Sequence, residues 1–177
     1  MKRLNLLLCA VVATGLGFTS CSSDDDTITV NDDVQIAGTY RLTEVNTDSE
    51  TDFNQDGTAN LNQMNESNCY DNSEIIFNAD NTFTYEIKSI LVDETEGTSA
   101  CNENTVSGTW VLQGGVGSTA IIDATYENPN GSDVTIRFNK EGNELTQYSL
   151  LTQYPDRDMN GGAVYSWGSV EMIFTKQ

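Results

Sequence analysis

From Ile36 onward the chain alternates apolar and polar residues with a period of two. "IAGTYRLTEV" places Ile36, Gly38, Tyr40 and Leu42 on one face. "TFTYEIKSIL" places Phe83, Tyr85 and Ile87 on one side and Thr84, Glu86 and Lys88 on the other. "DVTIRFN" turns Val134, Ile136 and Phe138 inward and Thr135 and Arg137 outward. The same pattern runs through "SEIIFNA", "VSGTWVLQ", "TAIIDATY", "ELTQYSLLTQY" and "AVYSWGSVEMIFTK". Successive side chains of a strand point to opposite faces, so each segment predicts a strand with one buried face. The connectors "ADNT", "QGGVGS", "ENPNGS", "KEGN" and "PDRDMNGG" carry the Gly, Asn and Asp that tight turns require. No long stripe of period 3.6 interrupts them. Short links force antiparallel neighbours. Eight such strands close most simply into a single all-β, antiparallel, up-and-down barrel, which also removes exposed edges. A two-sheet sandwich is the alternative architecture.

Before Ile36 the pattern differs. Lys2 and Arg3 precede the apolar run "LNLLLCAVVATGLGF", too short for a permanent span and ending in small residues. This predicts a secretory signal over residues 1–20. The sequel "FTSC" resembles the lipobox of bacterial lipoproteins. That resemblance implies cleavage before Cys21 and acylation of its thiol. Ser22 in place of Asp leans toward export from the inner membrane. "SDDD" (Ser23–Asp26) resembles the acidic tag that carries some lipoproteins to the outer face of the outer membrane. Residues 21–35 would then be a lipidated acidic tether, reaching about 20 Å if flexible. Its carboxylates are repelled by an anionic membrane surface. Residues 36–177 form one domain.

Of the four cysteines, Cys9 leaves with the signal and Cys21 carries lipid. Cys69 and Cys101 remain in an oxidising compartment, which predicts a disulfide between them. A zinc site would need more ligands, and the chain has no histidine.

The full chain carries a net charge of −19, and loss of Lys2 and Arg3 makes it two units more negative. Such a surface repels nucleic acid and attracts cations. Catalytic signatures are lacking. There is no histidine to activate a serine, no free cysteine after lipidation and pairing, and no phosphate-cradling Gly-rich turn before a helix. The sequence therefore points away from an enzyme.

The strands carry a second resemblance. "GTYRLTEV" looks like the Gly-x-Trp opening of lipocalins, with Tyr40 at the tryptophan position. "SEIIFNADNTFTY" followed by "VSGTWVLQ" is similar to the lipocalin-like domains of bacterial lipoproteins, where a strand pair around a tight turn precedes a Gly-Thr-Trp strand. Asn81 stands at the usual turn glycine, and asparagine tolerates the left-handed conformation. Gly38, Tyr40, Gly108 and Trp110 are the barrel-signature positions. Tyr40 and Trp110 are expected to plug one barrel end. The resemblance implies a binder of a small apolar or amphipathic ligand. The alternative is a filled barrel whose acidic loops contact a glycan or protein partner of the envelope.

Two runs suggest a cation. "DFNQDG" sets Asp52, Asn54 and Asp56 at alternate positions before a glycine, with Thr58 to offer its carbonyl. "DRDMNG" repeats the arrangement with Asp156, Asp158 and Asn160. Alternate oxygen side chains in a tight loop converge on one point, which suits calcium. The twelfth positions are Gln63 and Trp167 rather than glutamate, so neither is a full EF-hand loop. Glu66 or Asp71 is placed to complete the first site by folding back. Any affinity is expected to be weak.

Overall fold

The structure is a computed structural model that describes residues 35–177. The expected signal segment, Cys21 and nearly all of the expected tether lie outside the described residues. Nine strands follow one another: β1 (Gly38–Thr51), β2 (Asn60–Asn62), β3 (Glu74–Phe77), β4 (Thr82–Asp93), β5 (Thr98–Val116), β6 (Thr119–Glu127), β7 (Asp133–Glu141), β8 (Glu144–Arg157) and β9 (Ala163–Lys176). Two short 3-10 turns, Gln63–Asn65 and Asn68–Tyr70, sit between β2 and β3. From β3 to β9 each strand pairs antiparallel with the next. β9 then pairs with β1, from Tyr40 opposite Lys176 to Thr47 opposite Val170. That last pairing closes an eight-stranded barrel and rules out the two-sheet sandwich. The extra strand β2 lies beside the upper half of β1, where β3 no longer reaches.

All eight expected strands are present, but three run further than their hydrophobic pattern does. β1 continues past Val45 to Thr51 because a bulge between Leu42 and Glu44 changes its phase. After the bulge Val45 and Thr47 point inward rather than even-numbered residues. β5 starts at Thr98, and its first eight residues are exposed on both faces. No large apolar side chain marks that stretch; it is held by backbone pairing to β4, with Ile90 opposite Cys101. β8 runs on to Arg157, so Asp156 is a strand residue and not a loop residue.

The barrel has two unlike ends. The chain enters at Gln35 on the near end, which also carries the β3–β4, β5–β6 and β7–β8 turns and Gln177. The far end carries the β1–β3 connection and the β4–β5, β6–β7 and β8–β9 turns. The near half is packed with aromatic rings. Phe77 meets Tyr40, Trp110 and Phe138 edge-on at 5.7–6.1 Å between centroids. Phe138 and Tyr85 each pack edge-on against Phe174. Each such contact adds about 0.5–1.5 kcal/mol beyond the area it buries. Tyr40 is fully buried and donates its hydroxyl to the Ile36 carbonyl at 2.8 Å. Trp110 donates its ring N–H to the Asn78 carbonyl at 3.1 Å. Both signature aromatics thus plug the near end, each with its polar atom satisfied. Gly108 is required by close approach: a Cβ there would lie 2.0 Å from the Thr125 carbonyl oxygen. Asn81 adopts φ 65°, the left-handed turn conformation expected of it.

The far half is less continuous. β7 pairs with β8 only from Asn139 opposite Thr146 to Glu141 opposite Glu144. β5 pairs with β6 only from Thr109 onward. The outer part of the β6–β7 hairpin therefore has no ladder partner on either flank. The β4–β5 tip instead crosses to β9: Ala163 N–H donates to the Gly97 carbonyl at 2.9 Å, and Val92 N–H donates to the Tyr165 hydroxyl at 3.0 Å.

Burial raises the Tyr40 phenol from its ordinary 10.0 to about 12, and raises Tyr70 and Tyr85 further. The unfolded chain ionises these phenols first, so their contribution is whole below about pH 10 and is lost as pH climbs through the folded values. Stability should fall steeply above pH 10. The check is a denaturant midpoint series from pH 8 to 11.5, with tyrosinate absorbance appearing together with loss of β-sheet circular dichroism.

Candidate functional site

The aromatic packing fills the near half and stops at Tyr85 and Phe174. Tyr85 donates its hydroxyl to Gln147 Oε1 at 3.2 Å and lies 3.7 Å from Met172 Sδ. On the far-end side, with Met172 in its lining, is a cup of about 430 Å³. Its wall is Val45 from β1, Tyr70 from the second 3-10 turn, Ile90 from β4, Tyr154 from β8, and Val170 and Met172 from β9. The cup lies where β8, beyond Thr146, has no β7 partner. Such a volume falls within the range of small-molecule pockets, and its lining mixes apolar side chains with Ser89, Thr152 and Gln153. A larger hollow of about 560 Å³ lies at the near end, between Ile36, the β3–β4 turn and Trp110. It lies beside the entering segment rather than above the barrel core.

Two large apolar side chains stand on the cup's rim: Leu151 is 83% exposed and Trp167 is 68% exposed. A bulge in β8 produces the exposure of Leu151. Ser149 pairs with Val170 and Thr152 with Gly168, so Leu150 and Leu151 together oppose one residue. Leu151 has φ 51°, a conformation that costs a bulky residue energy. The adjacent leucines in "YSLLTQY" are the one local signal that could have located this bulge. The cup's other lining residues come from separated segments, and only the register brings them together.

The two acidic runs meet at the far end. Gln55 Nε2 donates to the Gly161 carbonyl at 2.9 Å. Arg157 donates from Nε to the Phe53 carbonyl at 2.9 Å and from Nη1 to Gly161 at 3.3 Å, with its guanidinium 4.3 Å from the Phe53 ring centre. Arg157 thus ties the β1–β2 loop to the β8–β9 hairpin, a role its sequence position gave no hint of.

Within the first run the side chains form successive turns. Gly57 N–H donates to Asp52 Oδ2 at 3.0 Å, Asp56 N–H to Asn54 Oδ1 at 2.9 Å, and Thr58 N–H to Asp56 Oδ1 at 2.8 Å. Gly57 adopts φ 89°, which any side chain would strain. Glu66 does fold back, accepting the Asn54 N–H at 3.2 Å and an Asn60 amide hydrogen. Asp71 instead ends the second 3-10 turn.

The second run is organised differently. Asp156 accepts the Ser166 hydroxyl across the β8–β9 pair at 2.6 Å. Asp158 Oδ1 accepts the N–H groups of Asn160 and Gly162, both at 2.8 Å, and closes the hairpin turn. These side chains serve separate bonds of a turn. No group of three or more His, Cys, Asp or Glu side chains with ligand spacing occurs among the described residues.

Cys69 and Cys101 form the expected disulfide, with Cα atoms 5.0 Å apart. It joins the second 3-10 turn, which carries the cup residue Tyr70, to the polar half of β5. No known protein family, characterised protein or solved structure matches the chain.

Replacing Cys69 and Cys101 together by serine should cost roughly 3.5 kcal/mol, the chain-entropy value for a loop of this length. A urea denaturation series on the reduced-type variant and the parent checks it, and Tyr70-side protection from hydrogen exchange should drop more than protection of β6 and β7.

Proposed function

We propose that this chain is a lipid-anchored lipoprotein of the outer membrane, turned to the cell exterior, whose barrel binds a small amphipathic molecule in the far-end cup. The observation that carries the binding role is the cup itself. It is walled by four barrel strands and a 3-10 turn, and edged by Leu151 and Trp167. Apolar walls exclude water, while Thr152, Gln153 and Ser89 offer a few polar contacts to orient a ligand. The filled near half limits the ligand to the cup's depth, so a headgroup-sized or short-chain molecule fits and a long acyl chain does not.

Chain direction supports the orientation. A tether leading to Cys21 departs from the near end at Gln35, opposite the cup. The far end is strongly acidic, with Asp52, Asp56, Glu94, Glu96 and Asp158 in its loops and Asp93 at the end of β4. Repulsion from an anionic surface favours that end pointing away from the membrane. A second reading is favoured by the rim: exposed Trp167 and Leu151 also suit stacking against a glycan or a protein surface of the envelope.

The test uses a neutral fluorescent lipophile, N-phenyl-1-naphthylamine. Saturable binding with sub-millimolar Kd is expected, and Val170→Phe, which fills the cup, should weaken it about tenfold. Trp167→Ala, at an exposed position, should leave the melting temperature unchanged and weaken binding less. Saturable binding that ignores Val170→Phe, or no binding at all, defeats the cup and leaves the rim reading, which a glycan array would then take up. For the anchor, Cys21→Ala should abolish incorporation of labelled palmitate.

A further inference from the structure

We infer that the near end of the barrel carries a binding site for a phosphate group, held between the ammonium groups of Lys140 on β7 and Lys176 on β9. Six lysines and arginines lie among the described residues. Arg41, Lys88 and Arg137 sit on carboxylates, and Arg157 is committed to bridging the far end. Lys140 and Lys176 are the remaining two, and the fold brings them to the same mouth.

In β7 Phe138 and Lys140 are buried while Asn139 and Glu141 are exposed, so Lys140 continues the core face. Lys176 lies opposite Tyr40 in the β1–β9 ladder, with its Nζ 5.5 Å from the Tyr40 ring centre. Together they line a hollow of about 460 Å³ with Gln35, Ser118, Gly142 and Asn143. Main-chain bonds set its wall. Gly142 N–H donates to the Ser118 carbonyl at 3.0 Å, and Lys176 N–H donates to the Asn143 carbonyl at 2.8 Å. A single lysine that snorkels to a barrel mouth is ordinary. Two at one mouth are not, because their charges repel and each loses water to be there. Burial, with the Lys176 charge beside it, holds the Lys140 ammonium below its ordinary range.

No described residue offsets that repulsion. The chain has 27 acidic residues, yet none of those described places a carboxylate within ion-pair distance of either ammonium. Glu141 and Glu144 belong to the same turn but stand at exposed positions of the ladder. Lys140 donates to the Gly142 carbonyl and Lys176 to the Gln35 carbonyl at 3.3 Å, one acceptor for the three N–H groups of each. The surplus is of donors and positive charge, at one spot on a chain whose net charge is −19. A phosphate group answers it. Its tetrahedral oxygens can take both ammoniums as point charges, with the hydroxyl of Ser118 and the amide of Asn143 in reach of the same hollow. A planar carboxylate suits the arginine fork instead, and no arginine lines this hollow. On the reading of an anchor at Cys21, this end is turned to the membrane surface, so the site would meet phosphate either as a lipid headgroup diester or as a free anion.

The test is calorimetric titration of the full chain with sodium phosphate and, separately, with glycerophosphoethanolamine, the soluble diester of a lipid headgroup, each against sodium chloride of equal ionic strength. Saturable binding of at least one, with Kd near or below about 1 mM, is expected. A diester bound at least about tenfold more tightly assigns the headgroup, the reverse order assigns free phosphate, and comparable affinities assign the phosphate group common to both. Lys140→Met keeps the apolar stem and removes the charge. It should weaken binding at least about tenfold and, by ending the repulsion, leave the phosphate-free Tm unchanged or raised. Lys176→Gln, at a half-buried position, should weaken binding likewise. No saturable heat from either probe up to about 10 mM would overturn the site. So would a response to phosphate that persists undiminished in both variants, since that is the general effect of an anion excluded from protein surfaces.

Discussion

The pairing of β9 with β1 is the constraint on which the rest of the molecule depends. A strand pair at the ends of an open sheet leaves two rows of unpaired N–H and C=O groups, an aggregation hazard. Joining Tyr40–Thr47 to Val170–Lys176 satisfies both rows at once. It also bends the sheet until the inward side chains of opposite walls touch. Phe174 on β9, Phe77 on β3 and Phe138 on β7 can meet only because the wall is closed. The edge-on geometry of these rings suits a tapering interior, since each ring presents its positive edge to a neighbour's negative face. The closure even fixes the way in: Tyr40 lies opposite Lys176 and holds the Ile36 carbonyl, so the segment that brings the chain to the barrel is fastened at the seam.

The far end follows from what closure leaves over. Strands β4, β5, β8 and β9 are longer than the aromatic core is deep. Their outer halves have little to bury, and β6–β7 parts from both neighbours there. Order in that half is supplied by other means: the Cys69–Cys101 bond, the Arg157 bridge, and the crossing of the β4–β5 tip to Ala163 and Tyr165. Each fastens two segments without needing apolar area. The cup exists because these fasteners hold the walls apart above the core rather than letting them collapse onto it.

This division explains which parts of the structure could be read from the residues. Where a strand buries one face, alternation shows, and all eight barrel strands were visible for that reason. Where a strand is solvated on both sides, as from Thr98 to Thr105, the pattern is silent and only pairing with β4 reveals it. Bulges defeat the pattern in another way. One extra residue near Thr43 moves the buried positions from Leu42 to Val45, and the Leu150–Leu151 pair ejects two leucines that alternation would place one in and one out. Tyr40 and Trp110 were legible as plugs through the short motifs that resemble lipocalin strands, and each closes the near end with its polar atom on a main-chain carbonyl. The cup was not legible: Val45, Tyr70, Ile90 and Tyr154 belong to four segments whose register no local rule sets. Arg157 escaped for the same reason, since its value lies in reaching Phe53 across the end of the barrel.

The acidic β1–β3 connection poses the remaining physical question. Ordering a residue's backbone costs about 1–2 kcal/mol, and burial is the usual offset. Between Asp48 and Asp71 few apolar side chains are available; Phe53 and Tyr70 are buried, and Leu61 is largely exposed. Yet Glu66 and Gln63 are buried there too, at positions where solvation would be cheaper. A loop free to relax would turn those groups to water. Glu66 is held inward because its carboxylate accepts the Asn54 N–H and the Asn60 amide, and Gln63 because its amide donates to the Thr51 hydroxyl. Hydrogen bonds inside the connection thus replace water for most of these groups. Its order also rests on neighbours outside it: Arg157 reaches the Phe53 carbonyl and Gln55 reaches Gly161, which fasten the connection to the β8–β9 hairpin without apolar burial.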